Sequence, residues 1–190
     1  LKPFFEARYN RLLEETNRAG ADGFFMFSSE SDNRPGIQYF SGFTGSFAIL
    51  VFGEKGGRLV TDSRYFLQAE EESFFPLLRM EDRDPWPAVA QAIRELGVKN
   101  PAVEDDRLTL ERGRALAKII SSFVGTSGLV RRLRAVKDEE ELNVIRRSAR
   151  IAAEAFEAFL PAIRPGRTEA EIAADLVHEI RRRGAQYPAK

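Results

Sequence analysis

The amino-acid sequence predicts an α/β fold in which a mixed β-sheet is flanked by helices. Two observations carry this prediction. Short apolar runs typical of buried strands alternate with longer amphipathic segments, and two neighbouring strands are joined by a glycine-rich turn. Alternation with helices favours parallel strands, whereas a tight hairpin requires antiparallel ones. We therefore expect one sheet that contains both kinds of pairing.

The first part of the chain predicts a helix, a buried strand and a hairpin. Phe5, Tyr9 and Leu12 recur at helical spacing, and Gly20 follows at a position typical of a helix C-cap. A continuous apolar run that is too short for a helix comes next, as in a strand buried on both faces. Two further apolar runs flank glycines that allow a tight turn. The predicted strands cover residues 23–28, 47–52 and 58–62.

Further strands and helices alternate after the hairpin. Asp62 is a candidate N-cap for the first of these helices, since its carboxylate can accept hydrogen bonds from the free amides of the first turn. Pro85 opens the next helix, which Gly97 ends. The predicted elements are a helix over residues 63–72, a strand over 77–80, a helix between Pro85 and Gly97, a strand over 102–104 and a helical stripe that includes Leu110, Leu116, Ala117 and Ile120.

The pattern changes after residue 133, where two amphipathic helices follow without a strand. Thr168 and Glu171 form a capping box at the start of the second helix, which ends at Gly184. The stripe of the first helix consists of Leu142, Ile145, Ala149, Ala152, Phe156 and Phe159. Such a stripe has little to pack against in this chain. We therefore predict a domain over residues 1–133, and a linker with the first two helices of an incomplete domain over 134–190.

Composition and charge exclude several classes of function. Lys plus Arg equals Asp plus Glu at 29 each, so no net charge attracts a nucleic acid or an anionic membrane. No apolar run approaches the length of a membrane span, and the first residues do not resemble a signal peptide. The absence of cysteine excludes disulfides, thiol catalysis and cysteine metal sites. We expect a cytoplasmic protein with no nucleic-acid or membrane partner.

The glycine-rich stretch at residues 39–53 raises the alternative of a phosphate-binding loop. Gly42 and Gly45 lack the Lys and Ser or Thr of a Walker loop, and they lack the spacing of a dinucleotide loop. The segment after Ser46 predicts a strand, so no helix N-terminus follows that would receive an anion. We interpret these glycines as architectural residues at a sharp bend between core strands.

Four sequence blocks occur in the order found in one family of enzymes. They are YFSGFTGS at residues 39–46, TDSRYFLQAEEE at 61–72, LRAVKDEEEL at 133–142 and IRPGRTE at 163–169. Together they resemble the Xaa-Pro aminopeptidase and prolidase family of creatinase-like, pita-bread metallopeptidases. The resemblance implies a ribonuclease-H-like N-terminal domain that ends near Leu133, followed by the start of a pita-bread catalytic domain. The implied activity is hydrolysis of the peptide bond that precedes proline.

The resemblance also implies a metal centre, but not within this chain. The family holds two divalent ions (Mn, Co or Zn) through Asp, His and Glu residues in the later part of the catalytic domain. We therefore expect no catalytic or metal-binding residue here. The one histidine, His178, lies near Asp175 and Glu179. We interpret it as a surface or packing residue rather than a ligand, because no third group is placed by the sequence.

Candidate substrate-binding residues lie in the predicted polar loop at residues 29–36. Asp32, Asn33 and Arg34 follow a rigid strand, and the resemblance implies that this connection approaches the active site of a dimer partner and limits the cavity to short peptides. Asp32 or Arg34 would then meet a substrate terminus by charge pairing. The alternative is a solvated surface loop. Arg64, in the first turn of a predicted helix, is interpreted as structural.

The sequence leaves three hypotheses for function. In the first, the chain is the N-terminal portion of a metal-dependent Xaa-Pro aminopeptidase or dipeptidase, with a role in oligomerisation and substrate access. Its expected partners are copies of itself, as a homodimer or a higher homo-oligomer, and proline-containing peptides. The second is a stand-alone, non-catalytic module that binds peptides or proteins. The third is the N-terminal part of a creatinase-like amidinohydrolase.

Overall fold

The structure, a computed structural model, describes residues 3–29 and 32–185. Glu30 and Ser31 of the predicted loop, and residues 186–190 at the end of the predicted second domain, lie outside the described residues. The chain divides into two compact units, Leu1–Val136 and Lys137–Lys190. The sequence predicted a division after residue 133.

The first unit is built on one six-stranded mixed sheet. Its strands are β1 (Gly23–Ser29), β2 (Phe47–Gly53), β3 (Gly56–Thr61), β4 (Leu77–Arg79), β5 (Pro101–Val103) and β6 (Val124–Gly125). Their spatial order is β4-β3-β2-β1-β5-β6. β2 is antiparallel to both β1 and β3, whereas the other three pairs are parallel. The predicted combination of both kinds of pairing is confirmed.

Helices cover both faces of this sheet. They are α1 (Pro3–Arg18), α2 (Arg34–Ser41), α3 (Phe66–Glu72), α4 (Trp86–Leu96), α5 (Leu110–Leu116) and α6 (Leu129–Leu133). Side chains of α1, α2, α3 and α6 share one hydrophobic core with the sheet, and side chains of α4 and α5 share the other. The first unit is therefore a three-layer arrangement, with helices on both sides of a mixed sheet.

The central strand β1 is buried on both faces, as its apolar run predicts. Phe24 and Met26 point into the core that contains α1 and α2, and Phe25 and Phe27 point into the core that contains α4 and α5. Successive side chains of a strand point to opposite faces, so a strand covered on both sides needs apolar residues at every position. β1 is thereby held rigidly between the two helix layers.

Three short elements differ from the sequence prediction. The predicted loop at residues 29–36 contains the first turn of α2, where Pro35 is tolerated because the first turn has no intrahelical amide partners. Gly36 packs closely against β1, because a Cβ at this position would lie 3.0 Å from the Met26 sulfur and would require the Met26 side chain to shift. Gly42, at φ +81, ends α2 rather than forming a bend between two strands. The strand β6 and the helix α6 were not predicted at all.

The second unit consists of two helices, α7 (Glu139–Phe159) and α8 (Glu169–Arg182). Both begin in capping boxes, and the one formed by Thr168 and Glu171 was predicted. Ala155 and Phe159 are buried, whereas the side chains of Ile145 and Phe156 are about half exposed at 50% and 51%. Part of the predicted apolar stripe is thus open to solvent. None of the described helices has the length and apolar character to cross a bilayer.

Candidate functional site

Asp32 is held by three donors at the end of β1. Its Oδ1 accepts hydrogen bonds from the amides of Ser29 and Asn33, at 2.7 and 2.8 Å. Its Oδ2 accepts a hydrogen bond of 2.7 Å from Nη1 of Arg112. Both carboxylate oxygens are therefore occupied by the protein itself, so Asp32 fixes the shape of its own segment.

Arg112 reaches this segment from the opposite helix layer. It lies on α5, packed on the sheet face away from α2, and its Nη2 donates to Oγ of Ser29 at 2.5 Å. The guanidinium carbon lies 3.8 Å from the ring centroid of Phe27, within the range of a cation–π contact. Arg112 thus joins the end of β1 to α5. Arg112 was not among the residues predicted from the sequence.

The charge pair lowers the pKa of Asp32. Partial burial of Asp32 acts to raise its pKa, but the hydrogen bonds from Arg112, Ser29 and Asn33 and the positive charge of Arg112 outweigh it. The folded state therefore favours the ionised carboxylate. Its contribution to stability is present above the ordinary pKa of an aspartate and is lost as the pH falls through the lowered value.

Asn33 and Arg34 have different environments although they are adjacent. Asn33 is buried, and its carbonyl accepts hydrogen bonds from the amides of Gly36 and Ile37 at the start of α2. Arg34 is exposed, and its Nη2 donates to the carbonyl of Thr44 at 2.5 Å. The structure brings the three predicted residues together on one segment, and Arg34 is the one that faces solvent.

Thr44 connects this segment to the second sequence block. Its amide donates to Oε2 of Glu72 at 2.7 Å, and Nε2 of Gln68 donates to Oγ1 of Thr44 at 2.8 Å. The blocks at residues 39–46 and 61–72 therefore meet at one place. Arg64 pairs with Asp62, the N-cap of its own turn, which supports a structural role.

An open cleft of about 340 Å³ lies beside the segment. Its lining includes Asp32, Asn33, Asp106, Arg107, Arg131 and Arg134, and Glu104 lies buried within the wall. Glu104 accepts a hydrogen bond of 3.0 Å from the amide of Val130. Burial raises the pKa of Glu104, because a carboxylate loses hydration there.

Replacing Glu104 with glutamine is expected to stabilise the protein at pH 8 and to have a smaller effect at pH 4. Because the pKa of Glu104 is higher in the folded protein than in the unfolded chain, the protonated side chain favours folding. This contribution to stability is fully present below the pKa of the unfolded chain and is lost as the pH rises through the pKa of the folded protein. Glutamine keeps an oxygen for the Val130 amide and carries no charge. We expect a gain of about 1 kcal/mol at pH 8 in urea denaturation.

The exposed Glu157 provides the control for this experiment. Its replacement with glutamine should change the free energy of unfolding by less than about 0.5 kcal/mol. Identical pH dependence of stability in wild type and Glu104→Gln would contradict the assignment of Glu104 as a buried carboxylate with a raised pKa.

The second unit offers no metal centre in the part of the chain that the structure describes. Asp175 is bound by Arg167, and Glu179 is bound by Arg182 and Arg183. These carboxylates are neutralised by arginine, so they do not combine with His178 into a ligand set. The described residues of the second unit do not fit a two-metal site.

Fold and site together define a class of protein. A unit with a mixed sheet and helices on both of its faces is followed in the chain by a second unit of two helices. Residues 8–136 match the family described as the Creatinase/Prolidase N-terminal domain, and residues 143–190 match Metallopeptidase family M24. The chain belongs to the creatinase/prolidase N-terminal domain family.

Solved structures of Xaa-Pro peptidases share this fold. The X-Pro aminopeptidase from Thermotoga maritima MSB8 superposes with a TM-score of 0.82 at 35% identity, over 94% of this chain and 50% of that one. The Xaa-Pro dipeptidase from Bacillus anthracis gives 0.80 at 30% identity, over 96% and 50%. The N-terminal domain of the cytoplasmic peptidase PepQ from Mycobacterium tuberculosis gives 0.58 at 27% identity, over 67% and 98%.

Sequence relatives give the same result. The uncharacterized peptidase YqhT of Bacillus subtilis is 27% identical over 181 residues, which are 94% of this chain and 50% of YqhT. The Xaa-Pro dipeptidase of Pyrococcus horikoshii is 28% identical over 158 residues, or 82% and 43%. The chain therefore spans about half the length of the relatives it matches. The resemblance inferred from the four sequence blocks is confirmed, and so is the fold class.

Proposed function

We propose that this chain is the N-terminal part of a metal-dependent Xaa-Pro aminopeptidase or dipeptidase, which hydrolyses the peptide bond preceding proline. One observation carries the proposal: the chain matches, over almost all of its length, half of two solved Xaa-Pro peptidases at 30% identity or more. The match of residues 143–190 to a metallopeptidase family supports a metal centre elsewhere in the whole protein. The expected ions are two divalent metals, Mn, Co or Zn.

The first unit acts, in this proposal, in oligomerisation and substrate access. The whole protein forms a homodimer or a higher homo-oligomer in the cytoplasm, and the segment at residues 32–34 approaches the active site of a partner subunit. Since both carboxylate oxygens of Asp32 are already occupied, Arg34 is the residue that pairs with the terminal carboxylate of a short peptide. Among the residues that the structure describes, Arg34 donates one hydrogen bond, to the carbonyl of Thr44, and its other donors are left for the ligand.

A comparison of two polypeptides tests the proposal. The 190-residue chain and the whole product of its gene are purified and assayed with Xaa-Pro dipeptides and tripeptides, with and without added Mn²⁺. We expect no turnover by the 190-residue chain, because its described residues hold no metal cluster, and metal-dependent hydrolysis by the whole product.

The same two polypeptides, assayed also for peptide binding and for release of urea from creatine, distinguish the remaining hypotheses. Hydrolysis by the 190-residue chain would contradict the absence of a catalytic centre. A gene product that ends at residue 190 and binds peptides without cleaving them would favour the non-catalytic module. Release of urea from creatine, without peptide hydrolysis, would favour the amidinohydrolase.

A further inference from the structure

We propose that Arg112 is a positioning residue for substrate access: its guanidinium, packed against Phe27, fixes the segment from which Arg34 meets the substrate. This inference rests on the proposed function. It adds a residue that none of the four sequence blocks contains, and it assigns to that residue a role in binding rather than in chemistry.

Arg112 acts as a clamp: from α5 in one helix layer, it binds two residues at the end of β1. Its two terminal nitrogens donate to different residues, Nη1 to Asp32 Oδ2 at 2.7 Å and Nη2 to Ser29 Oγ at 2.5 Å. These two acceptors lie on either side of the point where the chain leaves β1 for α2. The planar guanidinium of Arg112 therefore sets the distance between Ser29, the last residue of β1, and Asp32.

The clamp is itself fixed on its other side. The ring of Phe27 lies under the guanidinium at 3.8 Å, and Phe27 is buried in the core shared with α4 and α5. The Arg112 side chain is only 18% exposed. A charge pair that is largely shielded from solvent and stacked on a rigid ring loses less side-chain entropy and is screened less by salt than a surface pair.

The position of Arg34 depends on this clamp through the backbone. Asp32 Oδ1 accepts the amides of Ser29 and Asn33, so the carboxylate that Arg112 holds also shapes the turn into α2. Asn33 directly precedes Arg34, the first residue of α2. Loss of Arg112 would leave the carboxylate of Asp32 bound by the amides of Ser29 and Asn33 alone, and the segment would gain freedom that substrate binding must remove.

Lysine is a poor substitute for this arginine. It has the same charge, but a single ammonium group cannot donate along two separated, coplanar directions to Asp32 and Ser29 while stacking on Phe27. Arg112→Lys should therefore restore only part of the function that Arg112→Met removes.

The test uses two measurements on the Arg112→Met and Arg112→Lys variants. In the 190-residue chain, hydrogen exchange of the Ser29 and Asn33 amides should accelerate about tenfold in Arg112→Met, while amides in the middle of β1 keep their protection. In the whole gene product, KM for an Xaa-Pro dipeptide should rise about tenfold with kcat within about twofold, because ground-state binding is affected and the chemistry is not. Arg112→Lys should lie between Arg112→Met and wild type in both measurements.

Arg114→Met is the matched control. Arg114 lies on the same helix, is exposed, and has no ion pair among the residues that the structure describes. The Arg114→Met variant should therefore have the hydrogen exchange, KM and kcat of the wild type. If Arg112→Met instead destabilised the whole fold, hydrogen exchange would accelerate throughout β1, and both kcat and the free energy of unfolding would fall.

Unchanged exchange at Ser29 and Asn33 in Arg112→Met would overturn the proposal, and so would faster exchange with an unchanged KM. If the wild-type gene product does not hydrolyse Xaa-Pro peptides, the proposed function fails and the substrate role of Arg112 fails with it. The hydrogen-exchange measurement distinguishes failure of the proposed function from failure of the positioning role, because it shows whether Arg112 orders the segment without depending on any reaction.

Discussion

Replacing Phe52 with alanine is expected to lower the free energy of unfolding of the first unit by about 4 kcal/mol. Phe52 is fully buried, and its ring lies 4.9 Å from that of Phe75, 5.7 Å from that of Phe40 and 6.0 Å from that of Tyr9. Its removal leaves a cavity between β2, α1 and α2 that these rings cannot fill. The loss includes both the transfer energy of the ring and the energy of the aromatic contacts.

Fluorescence of Trp86 provides the measurement, since it is the one tryptophan of the sequence and packs near Phe25 and Phe27 in the first unit. Urea denaturation should show a large shift of the midpoint in Phe52→Ala. Phe123→Ala is the control, because this side chain is 37% exposed and should cost about 1 kcal/mol or less. Equal losses in the two variants would show that Phe52 is not a central packing residue.

Replacing Gly23 with alanine is expected to cost about 3 kcal/mol although it adds only one methyl group. A Cβ at this position would lie 2.2 Å from the carbonyl oxygen of Phe52 and 2.9 Å from Cγ2 of Val98. The first contact is with backbone, which cannot rotate away as a side chain can. The antiparallel register that pairs Gly23 with Gly53 would have to shift locally.

Gly113→Ala is the matched control for this substitution. Gly113 lies within α5, and the nearest atom to its Cβ would be Cδ2 of Leu108 at an ordinary 3.7 Å. Alanine should therefore stabilise the helix by about 0.5–1 kcal/mol. Replacement of glycine by alanine is thus expected to lower the free energy of unfolding at Gly23 and to raise it at Gly113. A neutral Gly23→Ala variant would contradict the close approach of β1 and β2.

Apolar pattern was sufficient to predict the elements that the core requires. β1 has four consecutive apolar side chains at residues 24–27 because helices cover both of its faces, and α4 has a clear apolar stripe between Pro85 and Gly97. The elements that were missed are short or are composed of turn-forming residues. α2 begins with Arg34, Pro35 and Gly36, which predict a loop by composition, although proline is compatible with the first turn of a helix and Gly36 packs closely against Met26.

The candidate site was predicted only in part, for a different reason. Asp32, Asn33 and Arg34 are adjacent in sequence, so a polar segment after a buried strand was enough to identify them. Arg112 lies on a helix from another layer, and its contacts with Ser29 and Asp32 depend on the order of strands in the sheet. A single sequence carries no signal for such a contact, because an arginine on a polar helix face is common.

The strand order also has a consequence for how the protein is made. β1 pairs on one side with β2, which follows closely, and on the other with β5, which is synthesised only after the hairpin, α3, β4 and α4. A nascent chain on the ribosome can therefore form the β1–β2–β3 meander early, while the parallel partner of β1 is still missing. Until α4 has also been synthesised, Phe25 and Phe27 lack the helix that covers them beside an open strand edge, and an exposed edge of this kind is prone to mispairing with another chain.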